Sequence, residues 1–447
     1  MKTTWRVLKQ FQLNGRFFLV IGALVVLLSL GFLHEPLFIA GKLALVLFAV
    51  VCLVDCILLA QNKNLILGSR KTPKLFSLGD ENEVKIHLMN RFSIKLFITI
   101  YDELPVQFQQ RDFQMKISMA VGERRILKYS LLPLVRGEYA FGKINLLISS
   151  KIGLLSRRIR KNEEHTIPVY PSIIQMKKYE LMAFASISNF HGIKKMRRLG
   201  HSYEFEQIKT YVQGDDVRSI NWKATSRKNQ LMVNQYEDER SQQVYSIIDK
   251  SRSMRMPFNG LSLLDYAINT SLVISNIALK KHDKTGLISF SDKMGSTIRA
   301  DKGKVQLKKI LQALYNEKEA RLEANYELLF HAIRNIIKSR SLIFLYLNFE
   351  SAYALERALP VLRRINAHHL LVVMIFENTE LEDYSTKKAE YIRDIYTQTI
   401  AQKMVLEKKH LAIRLRKQGI QTILTKPEDL SMNTVNKYLE LKARGLI

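Results

Sequence analysis

Asp249, Ser251 and Ser253 stand at alternate positions where an apolar run ends, in VYSIIDKSRSM (244–254). A carboxylate and two hydroxyls spaced this way can converge on one point. They are hard oxygen donors of little total charge, a set that suits Mg2+ with several waters retained. The competing expectation is a tight turn whose hydroxyls satisfy neighbouring backbone groups. A second concentration of charge lies upstream, in Glu204, Glu206, Asp215, Asp216 and Lys223. It can be read as a metal-dependent hydrolase cluster. The simpler reading is a cap: Asp215 or Asp216 starts a helix over about 217–228, with Val217, Ile220 and Ala224 on one face and ion pairs around it. No P-loop, nucleophile elbow or HExxH helix is present. The ten histidines show no ligand spacing, and His368-His369 at a strand start is read as structural.

The elements that must hold these groups follow from hydrophobic periodicity. From Val244 onward the apolar runs VYSIID, TGLISF, SLIFLYL, HLLVVMIF and IQTILT alternate with helical patterns. Those patterns fall at 261–281, 304–316, 326–338, 352–365, a long stretch to about 418 closed by Gly419, and the C-terminus. Leu261, Leu264, Ile268, Leu272, Ser275 and Leu279 recur at helical spacing and form a core face. STIRA is expected as an edge strand. Such alternation predicts a mostly parallel, doubly wound α/β sheet, whose ligands gather at the carboxyl ends of its strands. Asp249 falls at such an end.

Residues 62–172 follow a different grammar. VKIHLM alternates, KLFITIYDELP is β-branched and aromatic, and LGDEN, VGER, VRGEYAFG and KIGL mark turns. Short strands between such turns predict an antiparallel β-sandwich. The expected organisation is 1–61 with two apolar helices, 62–172 sandwich, 173–243 charged joining segment, and 244–447 α/β domain.

Residues 17–33 carry no charge, and Leu37–Ala60 is interrupted only by Lys42 and Asp55. A spanning helix needs about 20 residues, so both segments qualify and HEP joins them as a transmembrane hairpin. A cleaved signal peptide is disfavoured, since no small-x-small site precedes HEP and a second span follows at once. Lys2, Arg6, Lys9 and Arg16 precede the pair, Lys63, Arg70, Lys71 and Lys74 follow it, and the turn has neither Lys nor Arg. The positive-inside rule then puts both ends, and the soluble domains, in the cytoplasm. Cys52 and Cys56 are expected to pack as apolar residues. Asp55 is expected to snorkel toward the cytoplasmic end. The net charge of +28 suits an anionic leaflet better than a nucleic acid, because the Lys and Arg are scattered and no nucleic-acid motif accompanies them.

Asp249-x-Ser251-x-Ser253 resembles the first loop of the metal-ion-dependent adhesion site in von Willebrand factor A-type domains. The resemblance implies a threonine where Ala324 and Asn325 stand, and an aspartate where Asn348 stands. Asn348 is then the further metal-site position. With one carboxylate and the threonine missing, weaker Mg2+ affinity is implied. YVQGDDVRSINWKATSRKNQLMVNQYEDE resembles the signature of domain of unknown function 58, through Gly214, Asp215, Asp216, Arg218, Asn221, Trp222, Lys223 and Arg227. LGDENEVKIHLMNR, DELP, RGEYAFG, KIGLL and VYPS resemble that family's sandwich. The resemblance implies a bacterial membrane protein associated with MoxR-type AAA+ ATPases and a chaperone-like or assembly role. We therefore expect a two-pass inner-membrane protein that is not an enzyme. Its α/β domain would engage such an ATPase, or a membrane or envelope client, through a Mg2+ bridge. The alternative is the hydrolase at 204–216.

Overall fold

The computed structural model describes residues 10–32, 34–60, 65–185, 204–237, 241–387 and 391–446, without the side chains of 184–185, 204–207 and 235–237. Lys2, Arg6, Lys9, Lys63 and the basic cluster at 194–198 lie outside the described residues. The chain forms two compact units, 1–170 and 171–447.

The first unit opens with strand β1 (Phe11–Leu13) and helices α1 (Gly15–Gly31) and α2 (Glu35–Leu59). Strands β2 (Ile66–Lys71), β3 (Phe76–Ser77), β4 (Asn82–Asn90), β5 (Leu96–Asp102) and β6 (Gln114–Met119) follow. Then come β7 (Arg124–Leu131), β8 (Gly137–Phe141), β9 (Ile144–Ser149), β10 (Leu155–Lys161) and β11 (His165–Tyr170). They pair as β1-β10-β9-β5-β6, β2-β4-β7 and β3-β11-β8, antiparallel except for β3 with β11. The alternation of β4 explains the layering. Val84, Ile86 and Leu88 are buried, and Ile86 and Leu88 share a core with Ile98, Ile100, Leu146 and Ile148 of the five-stranded sheet. Two facing sheets sharing inward residues make a sandwich.

The sandwich starts earlier in the chain than its composition suggests. Phe11 pairs with Arg157 and Leu13 with Leu155, so the two helices are an insertion between the first two strands rather than a separate N-terminal module. Rings of Phe17 and Phe48 lie 5.3 Å apart, and the backbone of Gly31 abuts that of Phe38, so α1 and α2 pack on each other. Helix α2 is long and apolar enough to span a membrane; α1, at 17 residues, is shorter. Cys52 and Cys56 are free and pack against the sandwich core, as apolar residues would.

One basic-flank residue, Arg70, is structural, as is Arg157 of β10. Arg70 is buried and pairs with buried Asp102, which also accepts from the Tyr129 hydroxyl at 2.5 Å. Burial, then the Asp102 charge, push the Tyr129 phenol far above its ordinary range. Arg157 is buried too and donates to the Leu59 carbonyl at 2.8 Å, satisfying an orphan acceptor at the end of α2. Arg70 therefore does not report topology.

Asp55 differs from expectation in the same way. It does not snorkel. It is fully buried, accepting from the Ser150 hydroxyl and from the backbone N–H groups of Leu154 at 3.1 Å and Leu155 at 2.9 Å. A buried carboxylate is tolerated where its lone pairs are met by donors.

The second unit begins with α3 (Ile173–Ala185), followed by the hairpin β12 (Glu204–Thr210) and β13 (Met232–Glu237), with α4 (Trp222–Lys228) between its strands. Ile173, Met176 and Tyr179 pack on the α/β core, and Glu180 binds Lys280 and Asn276, so α3 belongs to that domain and is no linker. The main sheet contains β14 (Gln243–Asp249), which leads into the small hairpin β15 (Pro257–Phe258) and β16 (Leu261–Ser262). It continues with β17 (Lys284–Phe290), β18 (Met294–Asp301), β19 (Leu342–Leu347), β20 (Leu370–Phe376) and β21 (Gln421–Thr425). Its order is β18-β17-β14-β19-β20-β21, parallel except for the edge strand β18.

Helices α5 (Leu263–Lys280), α6 (Lys304–Asn316), α7 (Tyr326–Ile336), α8 (Ala352–His368), α9 (Thr379–Thr386), α10 (Ile392–Lys417) and α11 (Leu430–Ala443) complete the unit. The long stretch ending near 418 is thus two helices. Alternate residues of β14 feed opposite cores: Val244 and Ile248 join α5, α6 and α11, whereas Tyr245 and Ile247 join α7, α8 and α10. A strand buried on both faces reads as one continuous apolar run, which is why VYSIID shows no polar alternation.

Candidate functional site

The chain passes from β14 through α5 to β17 and β18 on one side, then returns to β19 on the other. The carboxyl ends of β14 and β19 therefore flank a topological switch point, where a crevice opens because successive connections leave in opposite directions. A pocket of ≈ 300 Å³ lies there, lined among others by Asp249, Ser251, Ser253, Tyr326 and Asn348.

Asp249 ends β14 and is 1% exposed. Its Oδ1 accepts the Ser251 N–H at 2.8 Å, an Asx-type turn that fixes the loop. Its Oδ2 is buried and has no hydrogen-bond partner. Burial pushes the carboxyl up to about 6, against which the Ser251 hydrogen bonds pull only partly. The Ser251 and Ser253 hydroxyls stand 3.1 Å apart. One carboxylate oxygen and two hydroxyls thus converge on the pocket, and the turn and the convergence coexist. An orphaned buried carboxylate oxygen is costly unless a cation or donor meets it, so these three residues fit a divalent ion.

Asn348 does not join them as a free oxygen. Its Oδ1 accepts from Lys408 Nζ, and its Nδ2 donates to the Ser253 carbonyl at 3.0 Å. Lys408 also donates to the Phe349 carbonyl, and burial pulls its ammonium down to about 8. Asn348 and Lys408 therefore brace the two loops, while Asp249 remains the lone acidic donor on the floor. Among the described residues no group of three His, Cys, Asp or Glu could hold a metal. Asn325, where the resemblance implies a threonine nearby, caps α7 by accepting from Leu328 N at 3.1 Å.

The mouth was not legible in the sequence. Arg252 pairs with Glu323 at 3.1 Å and with Glu350 at 3.6 Å, and Arg357 pairs with Glu323 at 3.0 Å. These residues come from three separate loops and helices, so no local motif joins them. Lys408 had a weak signal: with Ala401, Leu411 and Leu415, all buried, it lies on the inward stripe of α10.

The upstream cluster is held differently. Gly214 takes φ +109°, which a Cβ would strain. Asp215 pairs with Lys209 at 2.7 Å and accepts from Val212 N at 3.0 Å. Asp216 accepts from Arg218 N at 3.0 Å and starts only the 3-10 turn Val217–Ser219. The helix proper starts at Trp222, capped by Asn221, whose Oδ1 accepts from Ala224 N at 3.0 Å and whose Nδ2 donates to Asn234 at 2.8 Å. The single helix expected over 217–228 is broken because Ile220 is extended and bridges Val233. Val217 is therefore exposed. Trp222 is 70% exposed, and Arg218, Lys223 and Arg227 are exposed as well. The side chains of Glu204 and Glu206 lie outside the described residues. Asn221→Ala is expected to lower the local opening free energy of this hairpin by about 1 kcal/mol, measured by amide exchange of the α4 backbone.

Residues 207–384 match the family described as Protein of unknown function DUF58. Uncharacterized protein YeaD of Bacillus subtilis (strain 168) is 24% identical over 127 residues, which cover 28% of this chain and 31% of that protein. The alignment thus spans less than a third of this relative's own length. Among solved structures, the CARDB domain of PF1109 from Pyrococcus furiosus is 17% identical, covering 24% of this chain and 95% of that one at a TM-score of 0.18. The ASH / PapD-like domain of human CEP192 is 12% identical, covering 24% of this chain and 87% of that one at a TM-score of 0.19. At such scores the architecture rests on the strand pairing itself.

Proposed function

We propose, on the premise that residues 207–384 belong to the DUF58 family, that this chain is a membrane-anchored, non-enzymatic interaction or assembly protein. On this reading its α/β unit is von Willebrand factor A-like, and its rim engages a partner through Mg2+. The observation that carries the reading is the unpartnered, buried Asp249 Oδ2 facing a pocket beside two convergent hydroxyls. Asp249, Ser251 and Ser253 would hold the ion, whose remaining positions would accept a carboxylate. Arg252 and Arg357 line the same pocket but are paired with Glu323 and Glu350, so the ion itself, rather than these arginines, would draw the carboxylate. With one acidic donor from this chain, the partner supplies the second charge, and the contact becomes switchable.

The membrane reading is that α1 and α2 both cross the bacterial inner membrane as a hairpin, with the soluble units cytoplasmic. It is supported by the apolar length of α2 and by the packing of α1 on it. The partner implied by the family resemblance is a MoxR-type AAA+ ATPase or its membrane or envelope client. The hydrolase alternative is weaker, because Asp215 and Asp216 are committed to an ion pair and a cap. The test is co-purification of the intact protein from its native membrane. Capture of an ATPase or client should require Mg2+, reverse with a chelator, and be lost in Asp249→Ala. Capture indifferent to both changes would sink the cation bridge.

A further inference from the structure

A second pocket, of ≈ 320 Å³, lies beside the first and is walled by the ends of β19 and β20 and by α9 and α10. Its floor is apolar: Phe258, Leu263, Phe376 and Leu411 are buried in it. Two methionines, Met256 and Met404, line it while remaining 42% and 47% exposed. Methionine is flexible and polarizable and adapts to varied apolar side chains. Four carboxylates, Glu350, Glu377, Glu382 and Glu407, line the same space against one ammonium, Lys408. Glu350 and Glu382 are partly offset by Arg252 at 3.6 Å and Lys426 at 3.8 Å. Glu377 and Glu407 make no ion pair within 4 Å among the described residues. In a chain of net charge +28 this is a local reversal of sign.

The pocket is continuous with an exposed stripe. Ile392, Tyr396, Ile400 and Met404 recur every fourth residue along α10 and are 76%, 70%, 59% and 47% exposed. The flank of α10 next to this stripe is engaged: Thr397 bonds Tyr384 of α9, and Ala401 is buried. Residues four apart share a helix face, so this is one apolar strip leading into the pocket. Clustered exposed apolar residues of this kind mark an interaction surface.

We propose that this strip and pocket receive a basic, amphipathic segment of a partner protein. One bulky apolar side chain enters between Met256 and Met404, flanking Lys or Arg residues meet Glu377 and Glu407, and further apolar residues lie along Ile400, Tyr396 and Ile392. The carboxylates favour such a segment over an anionic lipid surface, which they would repel. This deepens the interaction reading above by giving the partner a chemistry, and it does not depend on Asp249.

The test uses the full chain in neutral-lipid nanodiscs with ¹³C-methyl methionine, Met256 and Met404 being assigned through Met→Leu variants. The probes are an amphipathic Lys/Leu peptide, its Glu/Leu counterpart, and phosphatidylglycerol vesicles, with empty nanodiscs as control. The Lys/Leu peptide should shift both methyl resonances and bind at least about tenfold tighter than the Glu/Leu peptide, a difference of about 1.4 kcal/mol. The double variant E377K/E407K should invert that order, and the milder E407Q should weaken Lys/Leu binding in the same direction. Asp249→Asn should leave these values unchanged, which separates this proposal from the cation bridge. Equal affinity for both peptides, no inversion on charge reversal, or shifts produced by vesicles and not by peptide would each overturn it.

Discussion

Asp249→Asn should make the metal-free protein more stable at pH 8 and abolish its stabilisation by Mg2+. The carboxyl of Asp249 is raised from 3.8 to about 6 by burial. An acid whose folded pKa lies above its unfolded value is protonated more in the folded state, so stability falls as pH rises through that interval. Below about pH 4 the group costs nothing; above about pH 6 the folded chain carries a buried charge whose cost is up to about 3 kcal/mol. Asparagine removes the charge while its side-chain oxygen can still accept the Ser251 N–H. Urea unfolding of metal-free wild type and variant at pH 8 should therefore differ by up to about 3 kcal/mol and converge near pH 4. Mg2+ should close the gap at pH 8 by stabilising wild type alone, and its apparent affinity should fall as pH drops below about 6, because binding needs the ionised carboxylate. A variant less stable than wild type at pH 8, or one that keeps the Mg2+ response, would refute both the buried charge and its ligand role.

Asp55→Leu should release the turn that follows β9 from the end of α2. That carboxylate takes one hydroxyl and two backbone N–H groups, all removed from water. Leucine would leave these neutral donors buried without acceptors, at about 1–3 kcal/mol each before relaxation. Amide exchange at Leu154 and Leu155 in detergent or nanodiscs should accelerate by about a hundredfold or more, since each 1.4 kcal/mol is a factor of about ten. Asp55→Asn, which keeps an acceptor, should fall between. Unchanged protection in Asp55→Leu would mean that the carboxylate faces lipid headgroups, as snorkelling predicts. The β1–β10 pairing should limit the loosening, because Phe11–Leu13 holds the start of the helices to the same sheet.

The sequence alone determined what depends on neighbours along the chain. Val84, Ile86 and Leu88 alternate in burial as their spacing predicts, α6 spans Lys304–Asn316 as read, and Gly419 takes φ +76° after α10. The position of Asp249 at the end of a buried parallel strand followed from the same local logic. Tertiary structure decided everything that needed two distant segments to meet. It placed Asp55 against a turn about a hundred residues away, and it gave Arg70 to Asp102 instead of to the membrane. It also returned Lys408 across 60 positions to occupy Asn348, and it set arginines around a pocket whose floor is one carboxylate and two hydroxyls. Periodicity encodes which face of an element avoids water, because that preference is paid residue by residue. The partner of a buried charge is encoded nowhere locally, because its energy exists only once the low-dielectric interior has closed around both groups.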